Sequence, residues 1–272
     1  MSNNDTARRT LIVAFLLCLV CSIIVSTASV WLKPLQVANK SIDFKRNILA
    51  AAGLLTKGIP IDEQFKQITV KLVDLETGKY TDAVDSEKYD QRKAAKNPDQ
   101  SDALSNDEDL AKISRREKYA KVYLVENQNT PEGGQGYSDQ KSDQRIIDKV
   151  ILPIRGYGLW STLYGFIALE ADLNTVAGLG FYEHAETPGL GGEVDNPSWK
   201  ELWQGKKVYK EGNVALTVIK GKVNENTKDK AYKVDGLSGA TLTTRGVDKL
   251  IKFWMGDMGY GKFLSNLKNG EA

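Results

Sequence analysis

An uncharged apolar segment is the first feature of the hydrophobic pattern, and it occupies residues 11–32. As an α-helix, these 22 residues would span about 33 Å, which is enough to cross the hydrocarbon core of a bilayer. The pattern predicts a transmembrane helix at residues 11–32, preceded by a short tail of residues 1–10. A cleaved signal peptide is the alternative, because Thr27-Ala28-Ser29 has the small residues of a cleavage site. The apolar region of a signal peptide, however, usually has only about 7–15 residues.

The charges beside this segment leave its orientation open. Arg8 and Arg9 precede it. The basic residues that follow it closely are Lys33, Lys40, Lys45 and Arg46. Counting positive charges therefore favours a cytoplasmic location for the rest of the chain. Because long domains are exported largely regardless of such charges, the count does not decide the side.

Short strand-like and helix-like patterns follow. The segments rich in β-branched and aromatic residues, which predict strands, are residues 68–75, 120–125, 149–154, 166–170, 176–182 and 214–218. The segments with apolar residues at helical spacing are residues 48–55, 197–203 and 242–255. Residues 171–175 are typical of a turn, so the strands on either side of them are expected to form a hairpin. Clustered strands with few long helices between them predict an α+β fold with a mainly antiparallel sheet and flanking helices.

Composition narrows the possible chemistry. The 37 Lys and Arg residues nearly balance 35 Asp and Glu residues, so we expect no nucleic-acid partner. His184 is the single histidine, and the two cysteines, Cys18 and Cys21, lie in the apolar segment. A zinc site, an iron–sulfur cluster or a haem site takes several ligands from these residue types. The sequence therefore points to an organic cofactor or to none, and predicts no metal site.

Two near-matches to known motifs fail on spacing. Residues 156–161 begin like a dinucleotide-binding fingerprint, but Ser161 stands where the third glycine is required. Residues 236–240 are similar to the nucleophile elbow of hydrolases, yet His184 precedes Ser238 instead of following it. We therefore exclude a Rossmann site and a serine hydrolase.

The segment Asp235-Gly236-Leu237-Ser238-Gly239-Ala240-Thr241 stands directly before the last predicted helix. Its small residues leave the backbone approachable, Ser238 can cap the helix, and Thr241 falls in or beside the first helical turn. Unpaired N–H groups and the helix dipole at such a position favour an anion such as phosphate. A serine-capped helix without a ligand is the simpler alternative, and the residues alone leave both open.

This segment resembles the signature of the FMN-binding domain family in which a phosphoester bond joins FMN to the last threonine of a Ser-Gly-Ala-Thr motif. Three further segments resemble the C-subunit family of the sodium-translocating NADH:quinone reductases, namely residues 158–160, 186–191 and 253–261. The single predicted span also fits that family. The resemblance extends over essentially the whole chain, although the polar stretch before Val150 adds little to it.

The resemblance implies that FMN is the cofactor and that Thr241 carries it. The threonine hydroxyl would replace the AMP part of FAD in a reaction performed by a separate magnesium-dependent flavin transferase. The residues that would line the phosphate are Ser238, Gly239 and Ala240. The residues that map onto the ring-binding segments are Trp160, Glu186, Thr187 and Leu190. The resemblance implies no catalytic residue and no metal ligand.

The implied function is that of an electron-carrier subunit of a Na+-translocating NADH:ubiquinone oxidoreductase, which is not a complete enzyme alone. Its partners would be the other subunits of a membrane complex, including the large membrane subunit that carries FMN. The implied location is the bacterial inner membrane, with residues 1–10 cytoplasmic, residues 33–140 a periplasmic α+β region, and residues 141–272 the FMN-binding domain. The alternatives are the homologous flavin-carrying G-subunit of the Rnf ferredoxin:NAD oxidoreductase and a membrane-anchored interaction domain without a cofactor.

Overall fold

The computed structural model describes residues 7–127 and 146–272, which fall into two compact units that divide between Phe44 and Lys45. The first unit is the larger part of the helix Ala7–Ala51, in which residues 7–41 are exposed. Within the described ranges this is the one helix long and apolar enough to cross a membrane. The expected boundary between residues 140 and 141 lies outside the described residues.

The regular elements are numbered in chain order. The helices are α1 (Ala7–Ala51), α2 (Ile61–Gln64), α3 (Gln91–Ala94), α4 (Pro197–Glu201), α5 (Thr241–Met255) and α6 (Gly261–Asn269). The strands are β1 (Ile68–Asp74), β2 (Lys79–Tyr80), β3 (Ser101–Ala103), β4 (Arg115–Glu117), β5 (Tyr119–Asn127), β6 (Ile146–Tyr157), β7 (Thr162–Glu170), β8 (Val176–Glu183), β9 (Tyr209–Lys210), β10 (Asn213–Val214), β11 (Thr217–Val218) and β12 (Lys233–Val234). Short 3₁₀ segments lie at Phe65–Gln67, Pro98–Gln100, Gly191–Asp195 and Lys230–Tyr232.

One antiparallel sheet organises the second unit, with the strand order β2-β1-β5-β6-β7-β8. This arrangement confirms the α+β class and the mainly antiparallel sheet. The predicted hairpin is formed by β7 and β8. Its turn is stabilised by Asp172, whose carboxylate accepts hydrogen bonds from the N–H groups of Asn174 at 3.0 Å and Thr175 at 2.6 Å.

The single strand predicted at residues 214–218 is wrong. β10 pairs with β9, whereas β11 pairs in parallel with β12 in a separate two-stranded sheet. The chain bends between them because the N–H groups of Ala215 and Leu216 both donate to the carbonyl of Val208. A local pattern of β-branched residues does not reveal this shared acceptor.

The short helix predicted at residues 48–55 is instead the end of α1, which stops at Ala51. Ile48 and Leu49 in this last part are fully buried. The backbone meets the sheet at Gly178, where an added Cβ atom would lie 2.4 Å from the carbonyl oxygen of Ala51. Glycine in β8 therefore permits the contact.

The two other predicted helices are present. Asn196 caps α4 by accepting a hydrogen bond from the N–H group of Ser198 at 3.0 Å. α5 packs on the sheet through buried residues that share one core with β6, among them Val150, Val247 and Leu250.

Two close contacts fix α5 along β6. The indole N–H of Trp254 donates to the carbonyl of Arg155 at 2.6 Å. Nearer the start of the helix, a Cβ atom at Gly246 would lie 2.4 Å from the carbonyl oxygen of Tyr157, so glycine is required there. The first residue of α5, Thr241, is thereby held beside the turn between β6 and β7.

Candidate functional site

The turn between β6 and β7 directs three backbone N–H groups at one carboxylate. The N–H groups of Leu159, Trp160 and Ser161 donate to Oε1 of Glu186 at 3.1, 3.0 and 3.1 Å. The N–H group of Gly158 closes the turn by donating to the carbonyl of Ser161 at 2.8 Å. Successive N–H groups of this kind form an anion-binding concavity, which the protein fills with its own side chain.

The same carboxylate binds the first turn of α5. The hydroxyl of Thr243 donates to Oε2 of Glu186 at 2.7 Å, and both side chains are buried. Burial is the largest effect on the pKa of Glu186 and raises it, but the hydrogen bonds from Thr243, Trp160, Leu159 and Ser161 together outweigh it. The pKa therefore lies below its ordinary value, and Glu186 is ionised at neutral pH.

Two glycines make room for this carboxylate. An added Cβ atom at Gly158 would lie 2.7 Å from Oε1 of Glu186. A Cβ atom at Gly191 would lie 2.7 Å from Oε2 and 2.6 Å from the hydroxyl oxygen of Thr243. Glu186 thus joins the β6–β7 turn, the loop after β8 and the start of α5 in one buried cluster.

His184 stabilises the loop after β8. Its Nδ1 accepts the N–H of Glu186 at 3.2 Å, so Nε2 carries the hydrogen and donates to Asp195 at 2.7 Å. The hydroxyl oxygen of Ser161 accepts the N–H of Ala185 at 2.8 Å and joins this loop to the β6–β7 turn. His184 therefore fixes the backbone next to Glu186.

The start of α5 lacks a side-chain cap. The N-cap residue is Ala240, whose carbonyl accepts the N–H of Thr244 at 2.9 Å. The predicted capping role of Ser238 is wrong, because this residue lies two positions before the N-cap and is exposed. The hydroxyl of Thr244, inside the helix, instead accepts the N–H of Leu237 at 3.0 Å and holds the preceding loop.

The start of α5 has backbone N–H groups that are available to a ligand. By the geometry of an α-helix, the N–H groups of Thr241, Leu242 and Thr243 have no acceptor within the helix. The helix dipole adds partial positive charge at the same end. Thr241 itself is exposed. A phosphoryl group attached to its hydroxyl therefore fits the chemistry of the residues around it.

Exposed side chains lie around this start. Trp160 is 67% exposed and Leu190 is 44% exposed, and Thr187 is also at the surface. The carbonyl of Thr187 accepts the N–H of Leu190 at 3.1 Å, which fixes the loop. Leu190 lies close to the start of α5. A Cβ atom added at Gly239, whose φ is +74°, would lie 3.0 Å from Cδ2 of Leu190.

Of the eight predicted site residues, six are exposed and two are buried. The exposed ones are Ser238, Gly239, Thr241, Trp160, Thr187 and Leu190, and the buried ones are Ala240 and Glu186. Thr243 and Thr244, both buried in the first turn of α5, were not among the predicted site residues. Their helical phase with Val247 and Leu250 is the signal that predicts their burial.

Fold and site together define an FMN-binding domain, and residues 158–256 match the family model described as "FMN-binding domain". Over 277 aligned residues the chain is 52% identical to the C-subunit of the Na(+)-translocating NADH-quinone reductase of Pseudomonas aeruginosa, with 100% of both chains covered. It is 46% identical over 272 residues to the Vibrio vulnificus C-subunit, with 99% of each chain covered. The chain therefore belongs to the family of Na(+)-translocating NADH-quinone reductase C-subunits.

A solved structure agrees with this assignment. The crystal structure of Shewanella oneidensis NqrC matches with a TM-score of 0.72 at 35% sequence identity, covering 85% of this chain and 99% of that chain. The resemblance found in the sequence is confirmed, both in family and in fold. The relatives named above carry the name of the C-subunit and not that of the Rnf flavin subunit.

Proposed function

We propose that this chain is an electron-carrier subunit of a Na+-translocating NADH:ubiquinone oxidoreductase, with FMN joined to Thr241 by a phosphoester bond. The observation that carries the proposal is the exposed residue Thr241 at the start of α5, which has no side-chain cap, within the range that matches FMN-binding domains. The names of the relatives support the assignment to this oxidoreductase.

The proposed attachment uses one oxygen of this chain. The hydroxyl oxygen of Thr241 forms a bond to the FMN-side phosphorus of FAD, the bond from that phosphorus to AMP breaks, and the hydroxyl proton is released. A separate magnesium-dependent flavin transferase would perform this exchange. The product is a diester whose negative charge lies at the positive end of the α5 dipole.

Different residues would contact the phosphate and the ring of the cofactor. Ser238, Gly239 and Ala240 would line the phosphate, together with the N–H groups of the first helical turn. Trp160, Thr187 and Leu190 would bound the ring, since they form the exposed rim. Glu186 would act as a positioning residue, because its oxygen atoms already accept protein donors. FMN supplies the one- and two-electron redox chemistry when bound.

The proposed setting is the bacterial inner membrane. α1 would span it once, with the amino terminus in the cytoplasm and the residues after the span in the periplasm. Proposed partners are the membrane and the other subunits of the complex, including the large subunit that carries FMN and receives electrons from this chain. A covalent tether suits this setting because an exported domain cannot easily replace a lost cofactor.

The test compares Thr241→Ala with Thr241→Ser after expression with a flavin transferase. We expect wild type and Thr241→Ser to keep a fluorescent band after denaturing electrophoresis, and Thr241→Ala to lose it.

Trypsin cleaves after Lys233 and Arg245, so the peptide of residues 234–245 should carry the mass of FMN less one water. Ser238→Ala is the matched control, because it removes a neighbouring hydroxyl and leaves the acceptor oxygen in place. A wild-type chain without a covalent flavin would support a cofactor-free interaction domain.

A further inference from the structure

Exposed apolar side chains of the second unit concentrate at the end that carries Thr241. The large apolar side chains exposed at this end are Leu110, Tyr157, Trp160, Leu190 and Leu242. Among the described residues of the unit, the others are Leu55, Ile59 and Leu202. Single exposed apolar residues are common on soluble domains, whereas a cluster of them marks an interaction surface.

Part of this cluster forms a groove beside the candidate flavin site. Leu110, Tyr157 and Leu242 line a cavity of about 310 Å³, together with Gly158 and Gly246. Gly246 allows α5 to approach the backbone at the end of β6, where an added Cβ atom would lie 2.4 Å from the carbonyl oxygen of Tyr157. Leu242 directly follows the residue proposed to carry FMN, so groove and flavin site are continuous.

The rim of the groove is cationic. Its lining includes Lys112, Arg245 and Lys249, and no Asp or Glu. None of these three cations forms a salt bridge with any residue that the structure describes. In contrast, Lys252, about one turn beyond Lys249, pairs with Asp248 at 2.8 Å.

Two of these cations also repel each other. Arg245 and Lys249 are four residues apart on α5, a spacing at which like charges repel each other. No salt bridge within the described part of the chain offsets this repulsion. An anion from outside the domain would offset it.

We propose that this groove is the docking site for a redox partner protein that presents an apolar surface with acidic residues around it. The proposal rests on the proposed function and deepens it by naming the surface and the chemistry of the partner. On docking, one electron leaves the redox group of one protein and enters that of the other, and no bond forms or breaks. A small apolar contact with a charged rim suits this exchange, because electron-transfer complexes bury little area and charges speed their encounter.

A protein partner explains both the apolar and the cationic residues of the groove. Lipid headgroups would neutralise Lys112, Arg245 and Lys249 but would leave Leu110 and Tyr157 in a polar layer. An acid-rimmed apolar protein surface covers the leucines and the tyrosine while pairing the cations. Continuity with Thr241 would also place such a partner next to the proposed flavin.

The charge test uses the assembled complex containing the full chain, with Arg245→Glu and Lys249→Glu combined. Single-turnover reduction of flavin after mixing with NADH is measured as ionic strength rises, and each rate is divided by the covalent flavin content. We expect the variant to be slower by roughly 10-fold at low salt, and the decline of the wild-type rate with salt to disappear. The control combines Lys96→Glu and Lys228→Glu, two exposed lysines outside the groove; its rate and salt dependence should match those of wild type.

A second variant tests the apolar residues of the groove. Leu110→Ser keeps every charge, so it should slow flavin reduction while the wild-type salt dependence remains. If both groove variants match the control in rate and salt dependence, the docking site is wrong. An effect of Arg245→Glu and Lys249→Glu that occurs in anionic-lipid nanodiscs and vanishes in neutral ones would identify lipid as the occupant and overturn the proposal.

The failure of this proposal and that of the proposed function are separable. A wild-type chain without covalent flavin at Thr241 overturns the flavin-carrier function itself. A wild-type chain with covalent flavin, combined with unaffected groove variants, overturns only the docking surface.

Discussion

The carboxylate of Glu186 accepts the hydroxyl hydrogen of Thr243 at 2.7 Å, which fastens the loop after β8 to α5 two residues beyond Thr241. The other oxygen of the same carboxylate holds the β6–β7 turn, including the backbone of Trp160. One buried side chain therefore sets the relative positions of the segments around the proposed flavin.

Replacing Glu186 with Ala should loosen the site, because three N–H groups and two hydroxyls, those of Thr243 and Ser161, lose their acceptor. We expect the free energy of unfolding to fall by about 1–3 kcal/mol, and the fraction of chains with covalent flavin to fall as well. Urea unfolding of the full chain in detergent and flavin fluorescence per polypeptide measure the two effects. Glu225→Ala is the control, since its pair with Lys230 is exposed and contributes little to stability. Equal losses in both variants would contradict the role of Glu186.

Gly158→Ala should disturb the same cluster from the opposite side. The new Cβ atom would lie 2.7 Å from Oε1 of Glu186, which hydrogen bonds hold in place. We expect a loss of about 1–3 kcal/mol in the free energy of unfolding. At Gly180 a Cβ atom meets nothing within 4 Å, so Gly180→Ala should change stability by less than about 1 kcal/mol. Identical denaturation midpoints for the two variants would show that Gly158 tolerates a side chain.

The ionised state of Glu186 predicts a pH dependence. Because folding lowers the pKa of Glu186 from its ordinary 4.5, its ionisation stabilises the protein above that value, and this contribution is lost as pH falls through the folded pKa. The stability difference between wild type and Glu186→Gln should therefore be largest near neutral pH and should narrow below 4.5. Urea midpoints of both proteins along a pH series measure it. A difference that grows in acid would show that the pKa shift has the opposite sign.

A second buried carboxylate anchors β6, the strand on which α5 packs. Glu117 is fully buried and accepts hydrogen bonds from Arg155 and from Gln91, each at 2.6 Å. Glu117→Ala leaves the Arg155 charge unpaired in the interior, so we expect a loss of about 3–5 kcal/mol. Glu225→Ala breaks an exposed pair with Lys230 and should leave the free energy of unfolding nearly unchanged. Thermal or urea unfolding separates the two, and a similar small loss in both would contradict the structural importance of Glu117.

The proposed topology predicts where a reporter fused after Ala272 is active. A phosphatase that folds only outside the cytoplasm should be active in this fusion, whereas a fluorescent protein that folds only inside should be dark. Fusion of the same reporters before Met1 provides the opposite control. A bright cytoplasmic reporter after Ala272 would reverse the proposed orientation.

The sequence by itself determined the features that depend on near neighbours in the chain. The apolar run at residues 11–32 is continuous, and β6, β7 and β8 form where β-branched and aromatic residues are concentrated, which is a local side-chain preference. The place of Thr241 at the start of a helix also belongs to this group, because a short motif of small residues before a helical pattern can be read without knowing the fold. For the same reason, the hairpin turn at Asp172 was predictable.

The tertiary structure alone decided how distant segments meet. Glu186 lies 27 positions from Leu159 and 57 positions from Thr243 in the chain, and no local pattern identifies such donors. The N-cap of α5 also depends on a contact outside the local pattern. Ala240 and not Ser238 is the N-cap, and the hydroxyl of Thr244 accepts the N–H of Leu237 in the preceding loop. Hydrogen bonds between remote segments depend on packing of the whole sheet and α5, so their partners are fixed only when the chain folds.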